Sequence, residues 1–180
     1  MLLLHDKYLI FALIVSNANI TLRMKITVLL IGKTTEKHVS EGIDIYFNRI
    51  KRYCKFEIIT IQDIKNTKNM PESEQKIKEG KKILDLLSAD DYCVLLDEHG
   101  VEYNTLELSE WLNKRMSTST KNIYFVIGGP YGFSDEVYAR ADFKLALSRL
   151  TFPHQLVRLL FMEQLYRTFT VIKGEPYHHE

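Results

Sequence analysis

Apolar residues along this chain alternate between short continuous runs and recurrences at helical spacing. Residues 26–31, 56–61, 92–96 and 123–127 form runs rich in β-branched and aromatic residues, which indicates buried strands. Between the runs, apolar side chains recur every three or four positions with charged residues on the other side. Because strands and helices alternate, we predict an α/β fold with a parallel sheet covered by helices on both faces.

Three amphipathic helices are predicted between these strands. The side chains expected to face the core are Val39, Ile43, Tyr46, Phe47, Ile50, Ile77, Leu84, Leu87, Leu108, Trp111 and Leu112. Asn104 is followed three positions later by Glu107, which is the pattern of a capping box at a helix start. A fourth helix is predicted to begin at Pro153 and to run to Phe169.

The predicted strands end in residues that suit a ligand site. The run 123–127 stops at Gly128 and Gly129, and a second short run, 143–147, is followed by Ser148. Ligands of parallel sheets bind beyond the carboxyl ends of the strands. We therefore predict one pocket from three strand ends, at Leu96, Gly128 and Leu147, partly lined by main-chain atoms.

Two phosphate-binding motifs do not fit this sequence. Gly32 and Lys33 follow a strand, but Thr27 stands where the P-loop pattern requires glycine. Residues 128–132 lack the G-x-G-x-x-G spacing, and Pro130 removes an amide that a pyrophosphate would use. Nicotinamide and flavin cofactors are therefore not expected. The loop suits a flat neutral base such as adenine, or is simply a glycine-rich turn.

The charge balance is nearly neutral, with 24 basic and 23 acidic residues and a formal net charge of +1. This argues against a protein that coats nucleic acid through bulk charge, although a local basic face is compatible with it. The candidate lysines and arginines either form RNA-binding faces or are ordinary solvated helix positions. They are Lys33, Lys37, Lys51, Arg52, Lys55, Lys65, Lys68, Lys76, Lys81 and Lys82.

Two cysteines, Cys54 and Cys93, lie far apart and outside any C-x-x-C spacing. Neither a zinc site nor a disulfide framework is expected from that arrangement. We predict two buried, reduced thiols, as is usual in the cytoplasm. No metal is expected in the protein.

Residues 1–23 differ from the rest of the chain. An apolar run at 8–15 follows Lys7 and has the length of a signal-peptide core, yet it is too short to span a bilayer as a helix. Alternatively, translation starts at Met24, because residues 25–31 already form a complete first strand. We expect residues 1–23 to lie outside the fold and residues 24–180 to form one domain.

Separate motifs in a fixed order carry a family resemblance. They occupy residues 127–132, 145–148, 150–154, 163–167 and 176–178. Together they resemble the RlmH, or YbeA, family of large-subunit ribosomal RNA pseudouridine N3-methyltransferases of the SPOUT class, and the likeness runs from residue 24 to residue 180. It implies S-adenosylmethionine (SAM) as methyl donor and a deep C-terminal trefoil knot, which general topology rules would not suggest.

The same resemblance implies partners and a location for the protein. SPOUT enzymes dimerise through their knot helices, so a homodimer is expected. The 23S ribosomal RNA, within the assembled ribosome, is the expected substrate. The protein is therefore expected in the cytoplasm, without a membrane partner.

The resemblance also implies which residues act. The residues expected to hold SAM are Leu96, Gly128, Gly129, Leu147, Ser148, Arg149, Leu150, Thr151 and Phe152. The N3 atom of pseudouridine carries a proton, so its methylation requires a general base. His178 is the expected base, with Glu163 as the alternative. Tyr177 is expected to orient the target base and Arg167 to contact a phosphate or oxyanion, whereas His154 is either a packing or a catalytic residue.

Three other functions are compatible with parts of this pattern. A SPOUT methyltransferase could act on another RNA base. A non-catalytic ribosome-associated protein could keep the knot without turnover. A flavodoxin-like or Rossmann binding domain would explain the alternating strands and helices, but the missing dinucleotide fingerprint counts against it.

Overall fold

Five parallel strands form one sheet in the computed structural model, which describes residues 24–65, 67–118 and 120–178. The strands are β1 (Lys25–Ile31), β2 (Lys55–Ile61), β3 (Tyr92–Glu102), β4 (Asn122–Ile127) and β5 (Phe143–Ala146). Their order is β2-β1-β4-β3-β5, and the neighbouring strands pair in parallel. This confirms the predicted parallel α/β fold. The predictions for residues 1–23 lie outside the described residues.

Helices cover both faces of the sheet, as predicted. They are α1 (Lys37–Ile50), α2 (Glu72–Leu84), α3 (Thr105–Met116), α4 (Asp135–Arg140) and α5 (Leu156–Ile172). On one face, α1, α3 and α5 enclose a core that includes Phe125 and Phe161, whose ring centroids are 4.9 Å apart. On the other face, α2 and α4 enclose a smaller core around Val126 and Ile83. None of the helices in the described ranges combines the length and apolar character needed to cross a membrane.

Side-chain hydrogen bonds hold the starts of two helices. At α3 the predicted capping box is confirmed: the Asn104 carboxamide accepts from the Glu107 amide at 2.9 Å, and the Glu107 carboxylate accepts from the Asn104 amide at 2.8 Å. At α1, Gln155 from a distant part of the chain binds the two residues that precede the first helical residue. Its Oε1 accepts from the amides of Thr35 and Glu36 at 2.8 and 3.1 Å. The segment before α5 is thereby tied to the start of α1.

Three predictions about element boundaries and faces were wrong. Ile77 was expected to face the core, but it is 55% exposed because α2 turns Gly80 and Ile83 inward. The third strand was expected to end at Leu96, yet β3 continues to Glu102 after a register shift against β5. The last helix begins at Leu156 and ends at Ile172, not at Pro153 and Phe169.

Both cysteines are buried free thiols, as predicted. Cys54 is 5% exposed, and Cys93 is fully buried. Burial raises the pKa of Cys54 to about 12 and the pKa of Cys93 to about 11. Both thiols therefore stay protonated at neutral pH and behave as small apolar side chains.

Candidate functional site

A cavity of about 610 Å³ opens beside residues 96–99 of β3 and at the carboxyl ends of β4 and β5. Its lining includes most of the residues that were expected to hold SAM, from the two strand-end loops and the segment before α5. These are Leu96, Gly128, Gly129, Leu147, Ser148, Leu150, Thr151 and Phe152. The fold thus brings together residues that lie more than fifty positions apart in the sequence.

Arg149 is the one expected SAM residue that does not line the cavity. Its side chain is 89% exposed, and its Nε atom lies 3.3 Å from the Glu102 carboxylate. The residues on either side of Arg149 bind each other, since the Leu150 amide donates to the Ser148 hydroxyl at 3.0 Å. Any role of Arg149 in holding a ligand would therefore come from its main chain.

The opening of the cavity is acidic. Glu72, Asp97 and Glu98 line it, and the Tyr138 hydroxyl donates to Asp97 at 2.5 Å. Burial raises the pKa of Tyr138, and its bond to the Asp97 carboxylate adds to the effect, so this hydroxyl remains a donor at neutral pH. His99 also lines the opening, but the described residues include no group of three His, Cys, Asp or Glu that could hold a metal ion. This opening suits a cationic ligand.

The two glycines after β4 lie tightly against buried side chains. A Cβ atom on Gly128 would stand 2.9 Å from the Phe133 ring, and one on Gly129 would stand 2.4 Å from Oε2 of Glu79. Neither approach leaves room for a side chain. The sequence prediction that this loop needs glycine is thereby explained by packing behind the cavity.

Glu79 was missed by sequence analysis. Its side chain is 4% exposed, and its Oε1 atom accepts from the Gln75 carboxamide at 2.8 Å. Its Oε2 atom has no hydrogen-bond partner among the described residues. Burial raises the pKa of this carboxyl above its usual range. The sequence does not indicate that Glu79 is buried, because most of its neighbours in α2 are charged.

We expect Glu79→Gln to raise the free energy of unfolding at pH 7.5 and to change it little near pH 4. The pKa of Glu79 is raised in the folded protein, so its ionisation destabilises the fold only above the pKa of the unfolded chain, roughly 4.3. The gain at neutral pH comes from removing a buried ionisable group and should be about 1.4 kcal/mol for each unit by which folding raises its pKa. Urea unfolding at both pH values measures it. The control is Glu74→Gln, at an exposed position of the same helix. A gain of equal size at both pH values would contradict the explanation.

Arg158 connects the start of α5 to the end of β1, and sequence analysis missed it as well. It is 1% exposed and donates to the carbonyls of Ile31 at 2.6 Å and Gly32 at 2.9 Å, and to the Thr34 hydroxyl at 2.9 Å. Its Nη2 atom also lies 2.6 Å from Nε2 of His154. Through these contacts Arg158 fixes the segment that lines the cavity.

His154 is a neutral packing residue in this arrangement. An arginine can only donate, so Nε2 of His154 accepts the bond from Arg158 and carries no proton. Burial lowers the pKa of His154, and the Arg158 charge lowers it further. The sequence analysis left a packing and a catalytic role open, and these contacts favour the packing role.

The four residues expected to act in catalysis form a separate group, here called the tail cluster: Glu163, Arg167, Tyr177 and His178. Nη2 of Arg167 donates to Oε1 of Glu163 at 2.6 Å, and the Tyr177 hydroxyl donates to the same oxygen at 3.2 Å. The Arg167 guanidinium lies 5.0 Å from the centre of the Tyr177 ring. The bond to Glu163 raises the pKa of Arg167. His178 follows Tyr177, and its Nδ1 atom is buried without a partner in the described part of the chain.

The tail cluster does not line the cavity of its own chain. Val157, in the first turn of α5, does line it. Arg167 lies ten residues further along the same helix, which corresponds to roughly 15 Å. Within one copy, the cavity and the tail cluster are therefore at different ends of α5.

Comparisons with known proteins agree with these features. Residues 24–178 match the family described as "Predicted SPOUT methyltransferase". The chain is 53% identical over 156 residues to the ribosomal RNA large subunit methyltransferase H of Christiangramia forsetii, a match that covers 87% of this chain and 99% of the relative. The proteins of the same name from Parabacteroides distasonis and Flavobacterium johnsoniae are 50% and 51% identical over 157 residues, again 87% of this chain and 100% of each relative. The matched span includes both the cavity and the tail cluster.

Proposed function

We propose, since this chain belongs to the SPOUT methyltransferase family, that it transfers a methyl group from SAM to N3 of a pseudouridine in 23S ribosomal RNA. The observation that carries the proposal is the 53% identity over 156 residues to a relative named ribosomal RNA large subunit methyltransferase H, together with the family match. The family also implies that the C-terminal part is threaded as a deep trefoil knot. A ribosomal substrate places the protein in the cytoplasm.

The cavity fits SAM in size and in chemistry. Its volume of about 610 Å³ is within the usual range for small-molecule sites. Leu96, Leu147 and Phe152 provide an apolar slot for adenine, and the strand ends provide main-chain hydrogen-bonding groups. The acidic opening at Asp97 and Glu98 complements a cationic ligand. Bound SAM supplies a methyl group activated by its sulfonium centre.

The tail cluster supplies the groups that act on the RNA base. Methyl transfer is an in-line displacement, so most of the catalysis is correct placement of the accepting nitrogen. We assign placement of the base to Tyr177 and contact with a phosphate or oxyanion to Arg167. We assign removal of the N3 proton to His178, with Glu163 as the alternative base. The Glu163 carboxylate already accepts four hydrogen bonds, two from Arg167 and one each from Tyr177 and Gln164, which favours His178.

The distance between cavity and tail cluster supports a homodimer. If one copy keeps them at different ends of α5, a second copy has to bring its tail cluster to the first copy's cavity. Every residue of α5 is buried or partly buried, and its partly buried residues include Leu156, Leu160 and Val171. Such an apolar surface suits an isologous contact between two copies. Sedimentation should therefore show twice the chain mass of 21.1 kDa.

Complementation tests whether each active site contains parts of two copies. Ser148→Trp should block the cavity, and His178→Ala should remove the base, so each homodimer should be inactive. Each mixed dimer has one intact site of two, so purified mixed dimers should show about half of the wild-type activity. Methyl transfer by co-expressed, doubly tagged subunits measures it. Activity that stays at background in the purified mixed dimers would show that each site is built within one chain.

The proposed substrate is tested by transfer of tritiated methyl from SAM to ribosomal particles that lack the modification. Large subunits and assembled ribosomes should become labelled, and small subunits should not. Free 23S RNA should be a poorer substrate, because a nearly neutral protein must read the shape of an assembled surface. Label on small subunits would show that the target lies in the small-subunit RNA. SAM binding without any label would favour a non-catalytic ribosome-associated protein.

A further inference from the structure

The two cavities at opposite edges of the sheet are lined by opposite charges. At the carboxyl edge, the cavity opening carries Glu72, Asp97 and Glu98. Such an acidic opening repels a phosphate backbone. An RNA substrate must therefore find its neutralising contacts on another surface of the protein.

A basic groove lies at the opposite, amino edge of the sheet. It has a volume of about 590 Å³, and we call it the amino-edge groove; its polar lining residues are Lys25, Lys51, Arg52, Tyr53, Lys55 and Glu57. Lys25 and Glu57 pair with each other at 2.5 Å. Lys51, Arg52 and Lys55 are exposed, and no carboxylate of the described residues forms an ion pair with them. Within the described part of the chain, the groove thus presents three cations without an acidic ion-pair partner.

Helix capping explains only part of this charge. Lys51 is the C-cap residue of α1, where a cation is favourable because carbonyl groups end the helix. Arg52 and Lys55 lie beyond the helix, and Lys55 opens β2 opposite Lys25 of β1. The cations therefore gather where two strands begin, around a concave surface that can follow a backbone.

Tyr53 connects the amino-edge groove to the tail cluster. Its hydroxyl donates to Glu175 at 2.6 Å, and its ring stacks on Phe169 with centroids 5.3 Å apart. The Tyr53 ring also lies 6.1 Å from Tyr166, which in turn lies 4.8 Å from Tyr177 of the tail cluster. A strand of RNA in the groove would thus pass beside the residues assigned to the target base. The cavity of the same chain lies across the sheet, roughly 23 Å away for a seven-residue strand.

We propose that the amino-edge groove binds the phosphates of the RNA strand that adjoins the target nucleotide, and so delivers that nucleotide to the tail cluster. This inference rests on the proposed function, since it takes RNA as the substrate. The groove supplies backbone contacts only, so it sets position and affinity without reading sequence. Sequence and shape are read elsewhere.

A charge-reversal variant tests the groove. Lys51→Glu, Arg52→Glu and Lys55→Glu are combined in one protein. The matched control combines Lys65→Glu, Lys68→Glu and Lys81→Glu. It changes the net charge by the same amount, at exposed positions on or before α2. Binding to large ribosomal subunits is measured between 50 and 200 mM salt, roughly the range over which phosphate contacts weaken. A third variant carries glutamine at the three groove positions. It separates the loss of attraction to phosphate from the repulsion that the glutamates add.

The groove variant should bind large subunits at least about tenfold more weakly than the control, with a salt slope that is shallower by about 2 to 3. Its SAM affinity should equal that of the wild type. Equal losses in the groove variant and the control, or no loss in either, would overturn the proposal. The wild type provides the separate test of the proposed function. If it binds subunits but transfers no methyl group, the proposed function fails while the groove can still be judged by binding.

Discussion

Replacement of Arg158 with methionine is expected to lower the free energy of unfolding by about 3–5 kcal/mol, because several buried oxygens lose their donor at a cost of about 1–3 kcal/mol each. The guanidinium is 1% exposed and donates to the carbonyls of Ile31 and Gly32 and to the Thr34 hydroxyl. Methionine fills much of the same volume but donates nothing, so these buried oxygens lose their partner. Urea unfolding of the purified variant measures the loss.

A matched arginine shows whether burial is the cause. Arg149→Met removes a side chain that is 89% exposed and pairs with Glu102 at 3.3 Å, so its cost should stay below about 1 kcal/mol. Arg158→Met should also weaken SAM binding, because Arg158 fixes the loop that lines the cavity at Phe152 and His154. A small and equal loss of stability in both variants would contradict the conclusion that Arg158 fixes the start of α5 to the end of β1.

Replacement of His178 with alanine is expected to slow single-turnover methylation at neutral pH by about 10²–10⁴-fold, the usual contribution of a general base. SAM affinity should change little, because the role assigned to His178 is removal of the N3 proton from the RNA base and not contact with SAM. Added imidazole should restore part of the rate. Rapid-quench measurement with saturating enzyme separates this step from RNA binding.

The control for this variant is His38→Ala. His38 lies on α1 with a side chain that is 73% exposed, and its removal should leave the rate unchanged. An unchanged single-turnover rate in His178→Ala would show that His178 is not the general base. Glu163 would then be the remaining candidate, and Glu163→Gln would show the large loss instead.

The parts of the fold that follow from local pattern could be predicted from the sequence. Continuous apolar runs identified the sheet, and the spacing of Asn104 and Glu107 identified the start of α3. The glycines after β4 were recognised as a place of close approach, and Gly129 indeed leaves no room for a side chain beside Glu79. These features depend on neighbours along the chain, which a sequence displays.

Features that depend on distant contacts could not be predicted in the same way. Arg158 is separated by 126 positions from Gly32, to which it donates, and its apolar neighbours in the sequence do not show which groups the guanidinium would bind. Ile77 matched a helical stripe, but the packing of Gly80 against Ser134 decides which side of α2 faces inward. In both cases tertiary contacts override the local pattern.

The distance between the two groups of site residues could not be predicted from the sequence. The resemblance grouped the strand-end residues and the tail residues into one functional site. The structure gathers each set, but it leaves Val157 at the cavity and Arg167 roughly 15 Å away along α5. Assembly of two copies is what would unite them, and assembly depends on surfaces rather than on motifs.

The most direct test of the proposed function is to identify the nucleoside that receives the methyl group. Ribosomes that lack the modification are incubated with the protein and labelled SAM, and the 23S RNA is digested and mapped by mass spectrometry. The proposed function predicts a single labelled fragment whose modified nucleoside is N3-methylpseudouridine. Label on another nucleoside would contradict the proposed target, and no label from a protein that binds SAM would contradict the proposed reaction.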